Sequence, residues 1–387
     1  MLFLLAIALT LATLPGTLEL LLLTLPTWFG SGNQATARRG SGPSRLAIVI
    51  PAHNEEAGLP LTVTSLLACD DPLPASDLVV IADNCSDATA EVARKHGCTV
   101  LERADSERRG KGYALDFAFK FLADKGYDGY VIVDADTSVE PNFLSAFRAL
   151  FARGGDAGQC VYRVGNAAVN VRTRLMNIAF LAFNYLRPLA RHRLGLSAGI
   201  LGNGFALSAR TVHEVPYDSF SIVEDLEYHT RLIRAGKRVE FLVETAVWSD
   251  MPATSGDAKS QRERWEGGRF RMIVEQVPAL LREIVHQRRF GLIEPLFELL
   301  LLPLAYHVLM VVGLLLVARG PFAPYAWFAL VLIIAHIVTA MLVGKAGRED
   351  WKALFSAPFY VFWKLVNLTG ILKTAGRGAS WKRTSRG

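Results

Sequence analysis

The sequence predicts an α/β fold: a mostly parallel sheet covered by helices on both faces, joined to apolar membrane segments. Three observations predict it. Short runs that are apolar almost throughout alternate with helical patterns from residue 45 to Pro141, as strands buried on both faces do. Two later stretches, Leu299–Ala318 and Pro321–Gly344, run 20 and 24 residues without a formal charge, and about 20 apolar residues cross a bilayer core. Polar residues gather just after three of the apolar runs, the place where ligands bind in such sheets.

Taken in order, Met1–Phe29 is apolar, interrupted by Pro15, Gly16 and Glu19. It has neither the basic start nor the small-residue site of a cleaved signal, so residues 1–29 are expected to be an uncleaved anchor. Residues 45–287 form the expected soluble domain. Its strands are RLAIVIPA, DLVVIAD, TVLER and GYVIVDAD; helices follow at about 56–68, 87–96 and 112–123, and Pro141 opens another. Membrane helices are expected at 292–318 and 321–344, an interfacial or re-entrant segment at 351–373 and a basic cytoplasmic tail at 374–387. His307 and His336 are expected to face a neighbouring helix or an interface.

The 387-residue chain is 51% hydrophobic with net charge +6; its mean hydropathy is +0.27. Residues 30–45 carry three arginines and no acid, residues 371–387 five basic residues and no acid, so the remainder is at −2. The basic excess sits beside the apolar segments, which suits cytoplasmic flanks near anionic lipid and excludes a broad nucleic-acid footprint. Four cysteines without metal-like spacing suit a reduced compartment.

The polar clusters are His53, Asn54 and Glu55 after the first strand, Asp83 and Asn84 after the second, and Asp134 and Asp136 at the end of the fourth. Two carboxylates one residue apart suit a hard divalent cation completed by substrate phosphates; a turn held by two aspartates is the plainer alternative. Gly110 and Gly112 flank Lys111 before a helix, where backbone can approach a ligand and anions are favoured; Lys111 is a candidate diphosphate contact or an ordinary loop lysine. Glu224 and Asp225 open a helix stopped by Gly236. They are either helix-dipole decoration or include a proton acceptor. In QRERW, Trp265 offers a stacking face and Arg264 a cation for phosphate, or the segment is a basic helix on the membrane.

The ordered motifs PAHNEE, ADNCSDAT, RGKGYAL, DAD, GNGFALS, VEDLEYHTRL and QRERW resemble the membrane-bound family 2 glycosyltransferases with a GT-A fold. That group includes cellulose, hyaluronan, chitin and poly-N-acetylglucosamine synthases and ceramide glucosyltransferases. The likeness covers roughly residues 47–271. It implies a nucleotide site around Ala52, His53 and Glu55, with Asp83 on uracil and Lys111 on the nucleotide. Asp134 and Asp136 would bind ribose, diphosphate and metal. Asp225 would be the general base, with Glu224 orienting it or touching the acceptor. Gln261, Arg264 and Trp265 would lie over diphosphate and acceptor. His53 stands where several polymer synthases have tyrosine, and the membrane portion is small for a secretion channel.

The expectation is an inverting, metal-dependent (Mg2+ or Mn2+) transfer of sugar from a nucleotide-sugar donor to a lipid or glycan acceptor. It would occur at the inner (plasma) membrane, with membrane lipids but no nucleic acid as partners. The alternatives are a polyprenyl-phosphate glycosyltransferase, against which QRERW counts, and a non-catalytic scaffold that binds nucleotide sugar.

Overall fold

The computed structural model describes residues 1–29 and 44–366. Arg38, Arg39, the tail 374–387 and the end of the 351–373 segment lie outside them. The described residues form two compact units, one of residues 44–167 and 197–251, the other of residues 1–29, 168–196 and 252–366.

The first unit is built on one eight-stranded sheet. Its strands are β1 Leu46–Ala52, β2 Leu78–Asp83, β3 Thr99–Arg103, β4 Gly129–Ile132, β5 Thr137–Val139, β6 Ala157–Val164, β7 Phe205–Ser208 and β8 Val239–Ser249, in the order β3-β2-β1-β4-β7-β6-β8-β5. The pairs β1/β2, β1/β4, β2/β3 and β6/β8 are parallel; β4/β7, β6/β7 and β5/β8 are antiparallel. Successive strand side chains point to opposite faces, and β1 shows what this does. Ile48 and Ile50 enter a core with Leu59, Val63, Phe143 and Phe147 from the helices Leu59–Leu67 and Phe143–Ala152. Ala47 and Val49 enter another, with Leu115 and Phe119 from Lys111–Leu122 and Tyr228 and Leu232 from Glu224–Arg234. Each face is thus sealed by helices whose apolar residues recur at helical spacing.

The strand read as Gly129–Asp136 stops at Ile132. Val133 N–H still reaches Val49 O at 3.1 Å, but Asp134 N–H turns to the Asn203 side chain at 3.0 Å. Both aspartates therefore sit in the turn beyond the strand.

The second unit is helical. Leu2–Phe29 and Phe322–Val343 are long and apolar enough to cross a membrane, and Phe290–Leu300 with Leu304–Val317 makes a third span if the bent pair counts as one. The single helix expected at 292–318 is instead broken by 78°. Pro303, at φ −47 and ψ 128, has no N–H to continue the helix and pushes its predecessor toward extended backbone.

Buried polar side chains tie these helices together. Thr13 and Thr17 hydrogen-bond with Tyr325 at 3.0 and 3.1 Å. His307 lies 3.4 Å from Thr17 Oγ1, and His336 bonds with Thr24 at 2.9 Å. Arg191, only 2% exposed, meets Glu19 at 2.8 Å, Glu294 at 3.1 Å and Glu298 at 3.0 Å. A buried charge persists only when paired in this way.

Candidate active site

The loops after β1 and β2 turn sharply at Asn54 and Asn84, with φ of 55° and 52°. Asparagine tolerates this left-handed region better than bulkier residues. The two side chains then lock neighbouring loops: Ser86 N–H donates to Asn54 Oδ1 at 2.7 Å, and Asp105 N–H to Asn84 Oδ1 at 2.8 Å. His53 donates through Nδ1 to the Asp83 carbonyl at 2.7 Å, and Glu55 N–H donates to Thr89 Oγ1 at 2.8 Å. Ala52 is buried, so the backbone is what it has to offer a ligand.

Asp83 is not alone. The β2/β3 register sets it opposite Arg103, whose guanidinium donates to Asp83 Oδ1 at 2.6 Å. Arg103 also holds Arg108 O at 2.6 Å and lies 5.8 Å from the centre of the Tyr113 ring. Tyr113 in turn stacks on Phe220, centroids 4.2 Å apart and 4° from parallel. Arg103 went unnoticed in the sequence because only strand register reveals its partner.

At the end of β4, Asn203 (1% exposed) acts as a brace. It accepts from Asp134 N–H and donates to Thr137 Oγ1 at 2.9 Å and Ser249 Oγ at 3.1 Å. Gly58 lets the β1 loop close on the same turn: a methyl group there would lie 3.2 Å from Asp136 Cβ. Lys111, first residue of its helix, pairs with the Asp134 carboxylate and donates to the Gly202 carbonyl. Gly202 has φ +81, and a methyl group on it would lie 3.1 Å from Asp225 Oδ2. Asp134, Lys111, the Gly202 turn and Asp225 thus follow one another in an unbroken series.

Asp225 Oδ1 accepts its neighbour's N–H, from Leu226, at 2.8 Å. Enclosure by protein pushes the Glu224 carboxyl up to about 8; the Asp225 charge adds to this and Lys111 opposes it. At neutral pH Glu224 is therefore mostly protonated.

The glycines around Lys111 divide their work. Gly110 has φ +126, a conformation side chains resist. Gly112, read as giving room to a ligand, gives it to the protein: a methyl group there would lie 2.0 Å from Ser219 O. Gln261, Arg264 and Trp265 belong to the other unit, on the helix Ser255–Gln287. Gln261 is buried, Arg264 partly buried and Trp265 37% exposed.

No group of three or more His, Cys, Asp or Glu side chains among the described residues is arranged to hold a metal ion. Mg2+ and its like need only one or two protein carboxylates when phosphates and water complete the shell. Asp134 and Asp136, adjacent in one turn and both oxygen donors, fit that demand.

Parallel strands with acidic loops at their carboxyl ends, extended by a mixed half in which β7 and β5 run antiparallel to their neighbours, make this a GT-A-type α/β fold. The solved mannosyltransferase of Pyrobaculum calidifontis, in complex with GDP-Man and Mn2+, shares it: TM-score 0.54, covering 88% of this chain and 99% of that one at 19% identity. The chain belongs to glycosyl transferase family group 2, whose model matches residues 130–343. Among its relatives is the probable glycosyltransferase YdaM of Bacillus subtilis (strain 168), 26% identical over 58% of this chain. The chain spans 55% of that protein's length. The undecaprenyl-phosphate mannosyltransferase of Micrococcus luteus is 30% identical over 50% of this chain and 80% of its own. The beta-monoglucosyldiacylglycerol synthase of Trichormus variabilis is 25% identical, over 63% of this chain and 53% of its own. These matches carry the family and the fold, not a particular polymer synthase.

Proposed function

We propose that this chain is an inverting glycosyltransferase that moves a sugar from a nucleotide-sugar, a UDP-sugar in the first instance, to a lipid or polysaccharide acceptor at the membrane. The observation that carries it is the series Asp134–Lys111–Gly202–Asp225, which sets a phosphate-type cation and a proton acceptor at one edge of the sheet. β1 lies between β2 and β4, so Asp83 and the Asp134 turn stand about two strand spacings, ~10 Å, apart. That is a span suited to a nucleotide.

In this reading Asp83, steadied by Arg103, receives the base, with His53 and Glu55 beside it. Lys111, Asp134 and Asp136 receive ribose and diphosphate. Mg2+ or Mn2+ held by Asp134 and Asp136 would neutralise charge on the departing diphosphate. Asp225 removes the proton of the attacking hydroxyl. A single displacement with one carboxylate base inverts the anomeric carbon. Protonated Glu224 can donate a hydrogen bond to the acceptor. Gln261, Arg264 and Trp265 serve diphosphate and acceptor. The apolar helices support an inner (plasma) membrane location, with 1–29 as anchor, 45–287 as a cytoplasmic catalytic domain and the basic tail inside.

A second reading, transfer to a polyprenyl phosphate, is favoured by the Micrococcus relative, whose name gives that acceptor. The test is to incubate the detergent-purified full chain with UDP-sugars or GDP-mannose and Mn2+ or Mg2+. Diacylglycerol, undecaprenyl phosphate or an oligosaccharide is supplied as acceptor, and product mass is read. Asp225→Asn should lower transfer by about 10²–10⁴-fold and leave nucleotide binding nearly unchanged. Normal turnover in that variant removes Asp225 as the base, and no product from any donor removes the enzyme reading.

A further inference from the structure

Lys111 occupies a position with a consequence for the order of binding. Its side chain is 21% exposed, and the ammonium engages the carboxylate of Asp134, whose side chain is 32% exposed, together with the Gly202 carbonyl. Asp134 is one of the two carboxylates that fit a divalent ion. An ammonium and a dication cannot both sit close to one carboxylate without repelling each other. Before donor arrives, the lysine is thus a cation already bonded where the metal's ligand must open.

We infer that Lys111 is a tethered counter-ion that holds Asp134 until a nucleoside diphosphate draws it away, so that metal and nucleotide bind cooperatively through this one side chain. The inference rests on the metal-site reading of Asp134 and Asp136 and adds a regulation to it. Three features support it. Lys111 is the first residue of a rigid helix, pinned next door by Gly112 against Ser219, so its ammonium swings from a fixed root. The alternative partner it needs, a phosphate, is brought by the donor, and a helix start favours that anion. Its second acceptor, the Gly202 carbonyl, lies on the turn that abuts Asp225, so release of the lysine also frees the turn beside the base. By linkage, the factor by which nucleotide tightens metal binding equals the factor by which metal tightens nucleotide binding.

The experiment measures Mn2+ binding to the detergent-purified full chain from the loss of the free-ion electron paramagnetic resonance signal, with no nucleotide, with UDP and with GDP. The wild type should bind Mn2+ weakly alone and about tenfold or more tightly with one of the diphosphates, within the usual range of such couplings. Lys111→Met, which removes the charge and keeps the stem, should bind Mn2+ about tenfold more tightly than wild type without nucleotide and show little further gain on adding it. Lys111→Arg should keep the wild-type pattern, which separates loss of charge from loss of fold, and melting temperatures are compared for all three. Equal or weaker nucleotide-free Mn2+ binding by folded Lys111→Met overturns the counter-ion role while leaving the metal site standing. A wild type that takes no Mn2+ even with either diphosphate overturns the metal-site reading, and this inference with it.

Discussion

Gly112→Ala tests how the site is held. Alanine in a helix is ordinarily favoured over glycine by up to about 1 kcal/mol, and Gly112 lies within the first turn of Lys111–Leu122. Space opposes that gain. The new Cβ would stand 2.0 Å from Ser219 O, 3.2 Å from Ser219 C and 3.4 Å from Phe220 Cα. A carbon–oxygen contact needs about 3.3 Å, so a gap of roughly 1.3 Å must open between two backbones. No rotamer change relieves it, because Ser219 is fully buried and Phe220 is stacked on Tyr113. Overpacking costs typically 1–3 kcal/mol, and a backbone-on-backbone case belongs at the upper end. The net expectation is about 2 kcal/mol of destabilisation, which for a unit of this size lowers the melting temperature by about 4–8 °C. Thermal unfolding of the purified protein reads this directly. Nucleotide affinity should fall as well, since Lys111 moves with the helix start. Gly256→Ala is the control, because nothing lies within 4 Å of its added methyl; it should melt at or slightly above the wild-type temperature. A Gly112→Ala protein that melts no lower than wild type would refute the packing account.

Other expectations follow from single contacts. Arg103→Gln removes the ion pair that steadies Asp83; a hydrogen bond to a charged group is worth about 1.5–3 kcal/mol, so KM for the nucleotide sugar should rise about tenfold with kcat less affected, as steady-state kinetics would record. Glu224 keeps its proton in the folded chain up to about 8 but loses it near 4.5 when unfolded. Folding therefore takes up a proton in that window, and its contribution to stability, complete below 4.5, is lost as pH rises through 8. Glu224→Gln should then raise the melting temperature more at pH 8.5 than at pH 5.5, and an equal change at both pH values would contradict the shift. Glu19→Gln deprives buried Arg191 of one of three carboxylates and should cost about 1–3 kcal/mol, seen as earlier heat-induced aggregation in detergent.

The parallel half of the sheet was legible because each strand is a closed apolar run ending in polar residues, and β1 to β4 begin and end within a few residues of the expected places. The mixed half was not. β5 has three residues and β7 four, too few to show a period, and β8 mixes buried and exposed positions across a register shift opposite Cys160/Val161. In the site, the acids could be named from sequence, but not what restrains them. Asn203 sat in a noted motif, yet its three hydrogen bonds reach Asp134, Thr137 and Ser249, residues far along the chain. Arg103 looked like the end of a strand. Pro303 stood in plain view inside an uncharged stretch, and charge counting passed over the bend it imposes.

The cluster around Arg191 also sets a timetable for biogenesis. Glu19 leaves the ribosome within an otherwise apolar helix, 172 residues before the arginine that will neutralise it. At 5–20 residues per second, that is a delay of roughly 10–30 s. An acid at membrane depth is costly while it waits. A bilayer-crossing first helix would therefore have to wait near the headgroups or in the insertion machinery until Arg191 emerges. Glu294 and Glu298 complete the set a hundred residues later, so the earliest apolar helix waits longest for its permanent electrostatic setting.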